Sequence, residues 1–371
     1  MAKMTVIHIA NIDGDPSAGA EVAVLNHIKH QSKKCNLMLL NCGIYKSESK
    51  DSNYKIINFN KSVSFEKFEE PFNHPDIIVF HSIYYPKYLK LASQVKKLNI
   101  PYIVIPHGSL QINAQKTKRV KKILGNFFFF NNFLKNASAI QYLCQAEKDN
   151  SVNKNQNSFI SGNGYEITST KKEYTSQKNG LNLIYIGRYD IYYKGLDLLI
   201  DCIIDIKDYM RNNNIKLSLY GKKNSDYDQL IKKIKEYKIY DIISLNDGVF
   251  DEEKKSKLLE ADAFIQTSRS EGQPLGIIEA ISLGLPCIVT KGTNFGKIIE
   301  NEKIGWVADF SKESIINSIK NAYVQRKKLP EMSDRAYNYA KKNLAWDIVS
   351  QEALNYYEKV IQKYTQGVYP K

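Results

Sequence analysis

Short apolar runs alternate along the whole chain with longer segments of helical character, and that alternation predicts most of the architecture. In the first half the runs are Thr5 to Ala10, Leu37 to Leu40, Ile77 to Phe80, Tyr102 to Ile105, Ala139 to Leu143 and Phe159 to Ile160. In the second half they are Asn182 to Ile186, Leu217 to Tyr220, Ile242 to Leu245, Ala263 to Gln266 and Cys287 to Thr290. Strands separated by helices imply parallel, doubly wound sheets, in which ligands gather at the carboxyl ends of the strands.

The grammar restarts near residue 180. Strand, Gly loop and helix appear first at Thr5–Ala10, the loop Asn11 to Glu21 and the segment from Val22; they recur at Asn182–Ile186, Gly187–Gly195 and Leu196 onward. The polar, turn-rich stretch Ile167 to Gly180 reads as a linker. Two domains follow, 1–170 and 171–349, as expected of a chain of 371 residues. Asp334 to Tyr364 reads as mostly helix, its end, about 350–371, packing back on the first domain.

Charge sharpens this picture. Of a formal +14, residues 1–170 carry +9, from 21 Lys/Arg and 12 Asp/Glu, and Ile77 to Ala146 holds no acidic residue. Such a field attracts phosphates, nucleic acid or an anionic membrane. No run approaches the roughly 20 apolar residues of a spanning helix, and no signal peptide precedes the first strand, so a cytoplasmic location is expected. Five scattered cysteines without a Cys-x-x-Cys pair read as free buried thiols.

The richest stretch chemically is Ala263 to Gly296, read as strand, loop, helix, strand. Seven residues separate Glu271 in the loop from Glu279 on the helix. Gly272 to Gly276 leads backbone N–H groups into the helix N-terminus, where anionic oxygens are stabilised. A capping Glu beside a solvated loop Glu fits the same spacing. Arg188 and Lys194 flank the second Gly loop and can neutralise a diphosphate, although either alone is an ordinary basic residue. His107, in a Pro-His-Gly turn, falls at a strand's carboxyl end, with His81 a weaker second candidate. Asp13-Gly14-Asp15 has the Asp-x-Asp form of a divalent-metal site. It is set aside, because it opens the first domain while Arg188 and Lys194 supply positive charge in the second.

Gly187-Arg188, Lys194-Gly195, Glu271 through Glu279 and Gly284-Leu-Pro286 together resemble the donor half of family-four glycosyltransferases of the GT-B fold, over roughly 180 to 310. Gly19-Ala-Glu21, Pro106-His107-Gly108-Ser109 and Asn163-Gly164 fit more loosely. The resemblance implies two Rossmann-like domains facing across a cleft and retaining transfer from a nucleotide sugar, UDP-linked by preference, without a metal or other cofactor. It implies that Arg188, Lys194 and Gly19 contact the donor diphosphate, Glu279 the ribose, and Val249 the base. Gln273, Pro274, Leu275 and Gly276 would lie against phosphate or sugar, with Glu271 and His107 at the reacting centre. The loop reads Gly-Gln-Pro-Leu-Gly where many members have Gly-Phe-Gly-Leu-Pro, so sugar contacts differ. A glycan or lipid-linked acceptor in cell-surface polysaccharide synthesis is expected. An epimerase of related fold and a non-catalytic binding subunit are the rival readings; all four charged positions being present argues against the latter.

Lys116 to Lys135 contains six basic residues, no acids and five Phe. Such a segment suits an anionic membrane surface, which would make the protein peripheral on the inner face of the plasma membrane. A helix burying its Phe face in its own domain fits equally. Nucleic acid fits less well, since no recognition motif accompanies the charge.

Overall fold

The computed structural model describes residues 3–45, 53–59, 63–117, 119–152, 155–174 and 179–369. The chain forms two compact units, Met1–Asn163 with Trp346–Lys371, and Gly164–Ala345. The crossing therefore comes at Asn163 rather than at residue 170. The reason is local: the Tyr165 N–H bonds the Leu344 carbonyl at 2.7 Å, and Tyr165 and Ile167 pack into a core of the second unit. Ile167 to Gly180 is likewise more than a linker. Within it the Lys172 N–H bonds the Leu283 carbonyl at 2.7 Å and the Tyr174 hydroxyl bonds the Asp262 carbonyl at 2.7 Å. Its positions 175–178 lie outside the described residues.

The first unit is built on β1 (Thr5–Ala10), β2 (Asn36–Asn41), β3 (Tyr54–Asn58), β4 (Ile77–His81), β5 (Tyr102–Ile105), β6 (Ala139–Tyr142) and β7 (Ser158–Ile160), ordered β3-β2-β1-β4-β5-β6-β7. The second carries β8 (Leu181–Ile186), β9 (Ile215–Tyr220), β10 (Ile243–Asn246), β11 (Ala263–Gln266), β12 (Cys287–Thr290) and β13 (Gly305–Ala308), ordered β10-β9-β8-β11-β12-β13. Every pairing within these sheets is parallel. Strand order reverses between β1 and β4 in one sheet and between β8 and β11 in the other. A crevice for ligands opens at such a reversal, because neighbouring connections leave to opposite faces.

Alternation along β8 explains why both faces are covered. Leu183 and Tyr185 enter one apolar layer while Ile184 and Ile186 enter the other. A strand buried on both sides reads as a continuous apolar run, which is why these strands were legible. The five cysteines are buried and free.

The C-terminal segment, mostly helix as expected, is two helices. Leu329–Asn343 puts Ala336 and Ala340 into the second unit. Buried Leu344 then leaves the helical track at φ −116°, its carbonyl taken by Tyr165. The helix Trp346–Thr365 sends Ala353, Leu354, Tyr357 and Val360 into the first unit's core.

Candidate active site

In the second unit, β8 and β11 lie side by side at the reversal of strand order, so the loops that follow them are neighbours. Gly195 makes their close approach possible. It sits at φ +65°, and a Cβ there would meet the Thr267 carbonyl oxygen at 2.1 Å. The Arg269 N–H bonds the Tyr193 carbonyl at 2.9 Å, and its guanidinium grips Asp197 through two bonds of 2.8 and 2.7 Å. That guanidinium also lies 4.6 Å from the Tyr192 ring centroid and 4.4 Å from that of Phe310. Paired donors in a fixed fork lock the two loops into one piece.

Glu271 hangs from this frame. Its Oε1 accepts from Lys194 Nζ at 2.6 Å, from Ser268 Oγ at 2.6 Å and from Gln266 Nε2 at 2.9 Å. The Lys194 and Glu271 side chains are only 16% and 15% exposed, so each offsets part of the other's desolvation. Asn294, left-handed at φ 64°, donates to the Glu271 carbonyl at 2.5 Å and the Gly272 carbonyl at 2.9 Å. The carboxylate is held in place from both its head and its backbone.

Glu279 lies in the second turn of the helix Leu275–Ser282, capped by Pro274, and forms an ion pair with Lys254. The first-turn N–H groups at Leu275, Gly276 and Ile277 have no partner inside an α-helix, and the macrodipole favours an anion beside them. Gly276 keeps that turn against the sheet, for a Cβ would meet Phe264 Cζ at 3.1 Å and the Ile186 carbonyl at 3.3 Å. Gln273 is half-buried and Arg188 exposed. Val249 is buried, packed in the same core as the helix Leu275–Ser282. The second unit thus carries a carboxylate bound to an ammonium, a second paired carboxylate, an exposed guanidinium and a helix N-terminus, a set that can hold a phosphate and a diol.

In the first unit, Gly19 opens the helix Gly19–Gln31 rather than lying in the loop before it, and a Cβ there would meet open space. Asp13 and Asp15 are tied to their own loop. Asp13 accepts from Asn11 Nδ2 and the Ile44 N–H, Asp15 from the Ser17 N–H and hydroxyl, and Glu21 takes the N–H groups of Asp13 and Gly14. His107 and Gly108 both adopt left-handed backbone, at φ 49° and 78°. Glu147 pins the turn, accepting from the Gly108 N–H at 2.6 Å with one oxygen and from the Leu143 N–H at 2.7 Å with the other. Burial pushes the Glu147 carboxyl up to about 7, while the two N–H groups pull it down. His107 Nε2 lies 3.0 Å from His81 Nδ1.

Lys116 to Lys135 divides its aromatic residues between core and surface. Arg119–Gly125 is α-helix and Asn126–Phe130 widens to a π-turn. Phe130 and Phe133 are buried, whereas Phe127, Phe128 and Phe129 are 76%, 63% and 56% exposed. Val120, Ile123 and Leu124 are also exposed, interleaved with exposed Arg119 and Lys121. Lys118 lies outside the described residues. Among the described residues no helix is long and apolar enough to cross a membrane.

Two participants escaped sequence reasoning. Lys254 lies on the helix Asp251–Glu260, whose only buried side chain is Leu258, so it reads as one of several solvated lysines. Glu147 carried a usable signal. It stands three residues after Cys144, the N-cap of its helix, and reaches back to the chain just before, as in a capping box.

Residues 166–343 match the family model of glycosyl transferases group 1. An uncharacterised glycosyltransferase of Methanocaldococcus jannaschii is 26% identical over 298 residues, 76% of each chain. Sucrose-phosphate synthase from Thermosynechococcus elongatus superposes with a TM-score of 0.75 at 14% identity, over 96% of this chain and 99% of that one. HepE of Anabaena, solved in complex with UDP-glucose, gives 0.71 at 16% identity, over 96% and 100%. The two doubly wound units are those of the GT-B architecture.

Proposed function

We propose that this chain, a glycosyltransferase of GT-B fold, takes its sugar from a UDP-linked donor bound at the β8–β11 loops and passes it to a glycan or lipid-linked acceptor with retention of configuration. The observation that carries the reading is the Lys194–Glu271 pair at 2.6 Å, at the point where strand order reverses. An ammonium has three protons. One engages Glu271, leaving others for diphosphate oxygens, so that Lys194 links the charge of the leaving group to the carboxylate at the sugar.

Arg188 and the first turn of the helix Leu275–Ser282 add donors for the diphosphate, with Gln273, Pro274, Leu275 and Gly276 forming the wall. Glu279 exchanges Lys254 for ribose hydroxyls, and Val249 lies near the base. Preorganised donors at the diphosphate stabilise the charge that develops as the glycosidic bond breaks. UDP is favoured because HepE, similar throughout, was solved with UDP-glucose. A thermal-shift screen of UDP, GDP and their sugars tests the donor site. UDP and a UDP-sugar should raise the melting temperature, since a ligand that binds only the folded state stabilises it; no shift with any nucleotide contradicts the reading. An inverted product anomer by NMR would contradict retention.

The acceptor side is read from the surface around Phe127, Phe128 and Phe129. Three exposed rings among Arg and Lys, in a segment from Ile77 to Ala146 without a single acid, suit an anionic bilayer. Sedimentation with phosphatidylglycerol vesicles should retain the wild type and lose a variant with all three Phe replaced by Ser. Equal sedimentation of the two would remove the membrane from the account.

A further inference from the structure

Three of the six histidines form a single hydrogen-bonded row across the middle of the first sheet, and nothing in the donor-site chemistry calls for it. His8 lies on β1, His81 ends β4 and His107 follows β5, three adjacent strands. His107 Nε2 is 3.0 Å from His81 Nδ1, His81 Nε2 is 2.8 Å from His8 Nδ1, and His8 Nε2 is 3.0 Å from Gln31 Oε1. The rings stack, with centroids 5.1 and 5.3 Å apart. His8 and His81 are fully buried. Burial holds all three below the ordinary histidine range, so each ring is neutral, with one N–H and one lone pair.

A row of neutral imidazoles has two possible polarities, and hydrogen-bond bookkeeping chooses between them. The far end of the row is fixed by a group that can only accept. The Ser161 carbonyl takes the Gln141 amide N–H at 2.9 Å, which leaves Gln141 Oε1 to accept the Tyr357 hydroxyl proton, also at 2.9 Å. The Tyr357 oxygen has given up its only proton and presents lone pairs alone to the Gln31 side chain beside it, whose Nε2 makes no hydrogen bond. Turning the Gln31 Oε1 toward that oxygen would set two acceptors against each other, so Oε1 stays on His8, 3.0 Å from its Nε2. His8 then carries its proton on Nε2 and accepts at Nδ1, His81 donates from Nε2 and accepts at Nδ1, and His107 donates from Nε2. The one position left to His107 is the lone pair on Nδ1.

We infer that His81 and His8 are positioning residues that fix His107 as the neutral Nε2–H tautomer, so that it meets substrate as a hydrogen-bond acceptor for a sugar hydroxyl and not as a cation for phosphate. The inference rests on the reading of the chain as a sugar transferase only for what His107 meets. The left-handed turn and the Glu147 clasp on Gly108 set where the ring stands; the histidine row sets which nitrogen it presents. His81 Nδ1 is the acceptor that makes the choice. A Gln at 81 offers an amide oxygen and an amide N–H in the same order along the row, whereas Phe has the shape and neither group.

Long-range ¹H–¹⁵N correlation spectra of the ¹⁵N-histidine-labelled, substrate-free protein read this directly. His107→Gln assigns the resonance, and the wild type is followed from pH 6 to 8. His107 should show one neutral tautomer, protonated on Nε2, throughout. His81→Phe should release it to a mixture of tautomers and His81→Gln should keep it single. A proton on Nδ1 or an imidazolium in the wild type would overturn the inference without any variant at position 81, and so would identical spectra for His81→Phe and His81→Gln. No substrate enters the measurement, so its failure is separable from failure of the transferase reading, which a fully active His107→Gln would weaken on its own.

Discussion

The two switch points use opposite electrostatics. At β8 and β11, formal charges are brought together and paired, Glu271 with Lys194 and Glu279 with Lys254. At β1, β4 and β5, histidines are buried until they lose their charge and are joined through hydrogen bonds alone. A paired site can trade one partner for an incoming anion or hydroxyl, whereas a neutral row can only be oriented. The difference suits the proposed roles, a donor site that takes up a diphosphate in the second unit and a histidine in the first that recognises hydroxyls without binding phosphate itself.

The largest effect is expected at Glu271. Glu271→Gln removes the charge that Lys194 answers, and turnover should fall by roughly two to three orders of magnitude with a smaller change in donor affinity, the signature of an interaction made mainly in the transition state. Steady-state kinetics with the donor found by thermal shift would check it. A loss confined to KM would place Glu271 in ground-state binding and erase its distinction from Glu279.

Next in size is an acid lability confined to the first unit. Burial lowers His8 from 6.5 to about 3 and His27 from 6.5 to about 4. Both are neutral in the fold, while the unfolded chain takes up protons below its ordinary histidine value. Their stability contribution is whole above pH 6.5 and lost as pH falls toward those lowered values, about 2 kcal/mol each between pH 7 and 5. Glu147, raised to about 7, opposes this. Its folded carboxyl takes up a proton before the unfolded one does, returning about 2 kcal/mol over the same interval. Urea midpoints should therefore drop on acidification, and drop further in Glu147→Gln, which lacks the offset; parallel midpoints in the two proteins would break the argument.

Glu279→Gln should be the mildest. It keeps a hydrogen-bonding group toward the ribose and should weaken donor binding by roughly tenfold, about 1.4 kcal/mol, with turnover at saturation little changed. Calorimetric titration separates the two quantities. Equal losses at Glu271 and Glu279 in both would undo the division between them.

The second site was legible in sequence because its parts are local and ordered: Gly187-Arg188, Lys194-Gly195 and the Glu271-to-Glu279 spacing each belong to one loop or one helix turn. In the first, His107 and His81 stood out singly, but the row that joins them did not, because its parts meet only through the sheet. His8 is hidden within an apolar run, and its partners Gln31 and His81 are 23 and 73 residues away in sequence. The same contrast applies to strands. Runs buried on both faces were read correctly, while β3 (Tyr54–Asn58), an edge strand with no fully buried residue, and β13 (Gly305–Ala308), a four-residue edge beginning with glycine, gave too little apolar signal. Phe127 to Phe130 needed the widened turn, which sends three rings outward and one inward, to be resolved at all.

The central claim is that the β8–β11 loops are the donor site, and titration of UDP into wild-type and Lys194→Ala protein tests it most directly. The account predicts saturable binding to the wild type and a loss of roughly tenfold or more in the variant, since a partly buried ammonium serving both Glu271 and the diphosphate is removed. UDP affinity that is the same in both proteins would place the diphosphate elsewhere.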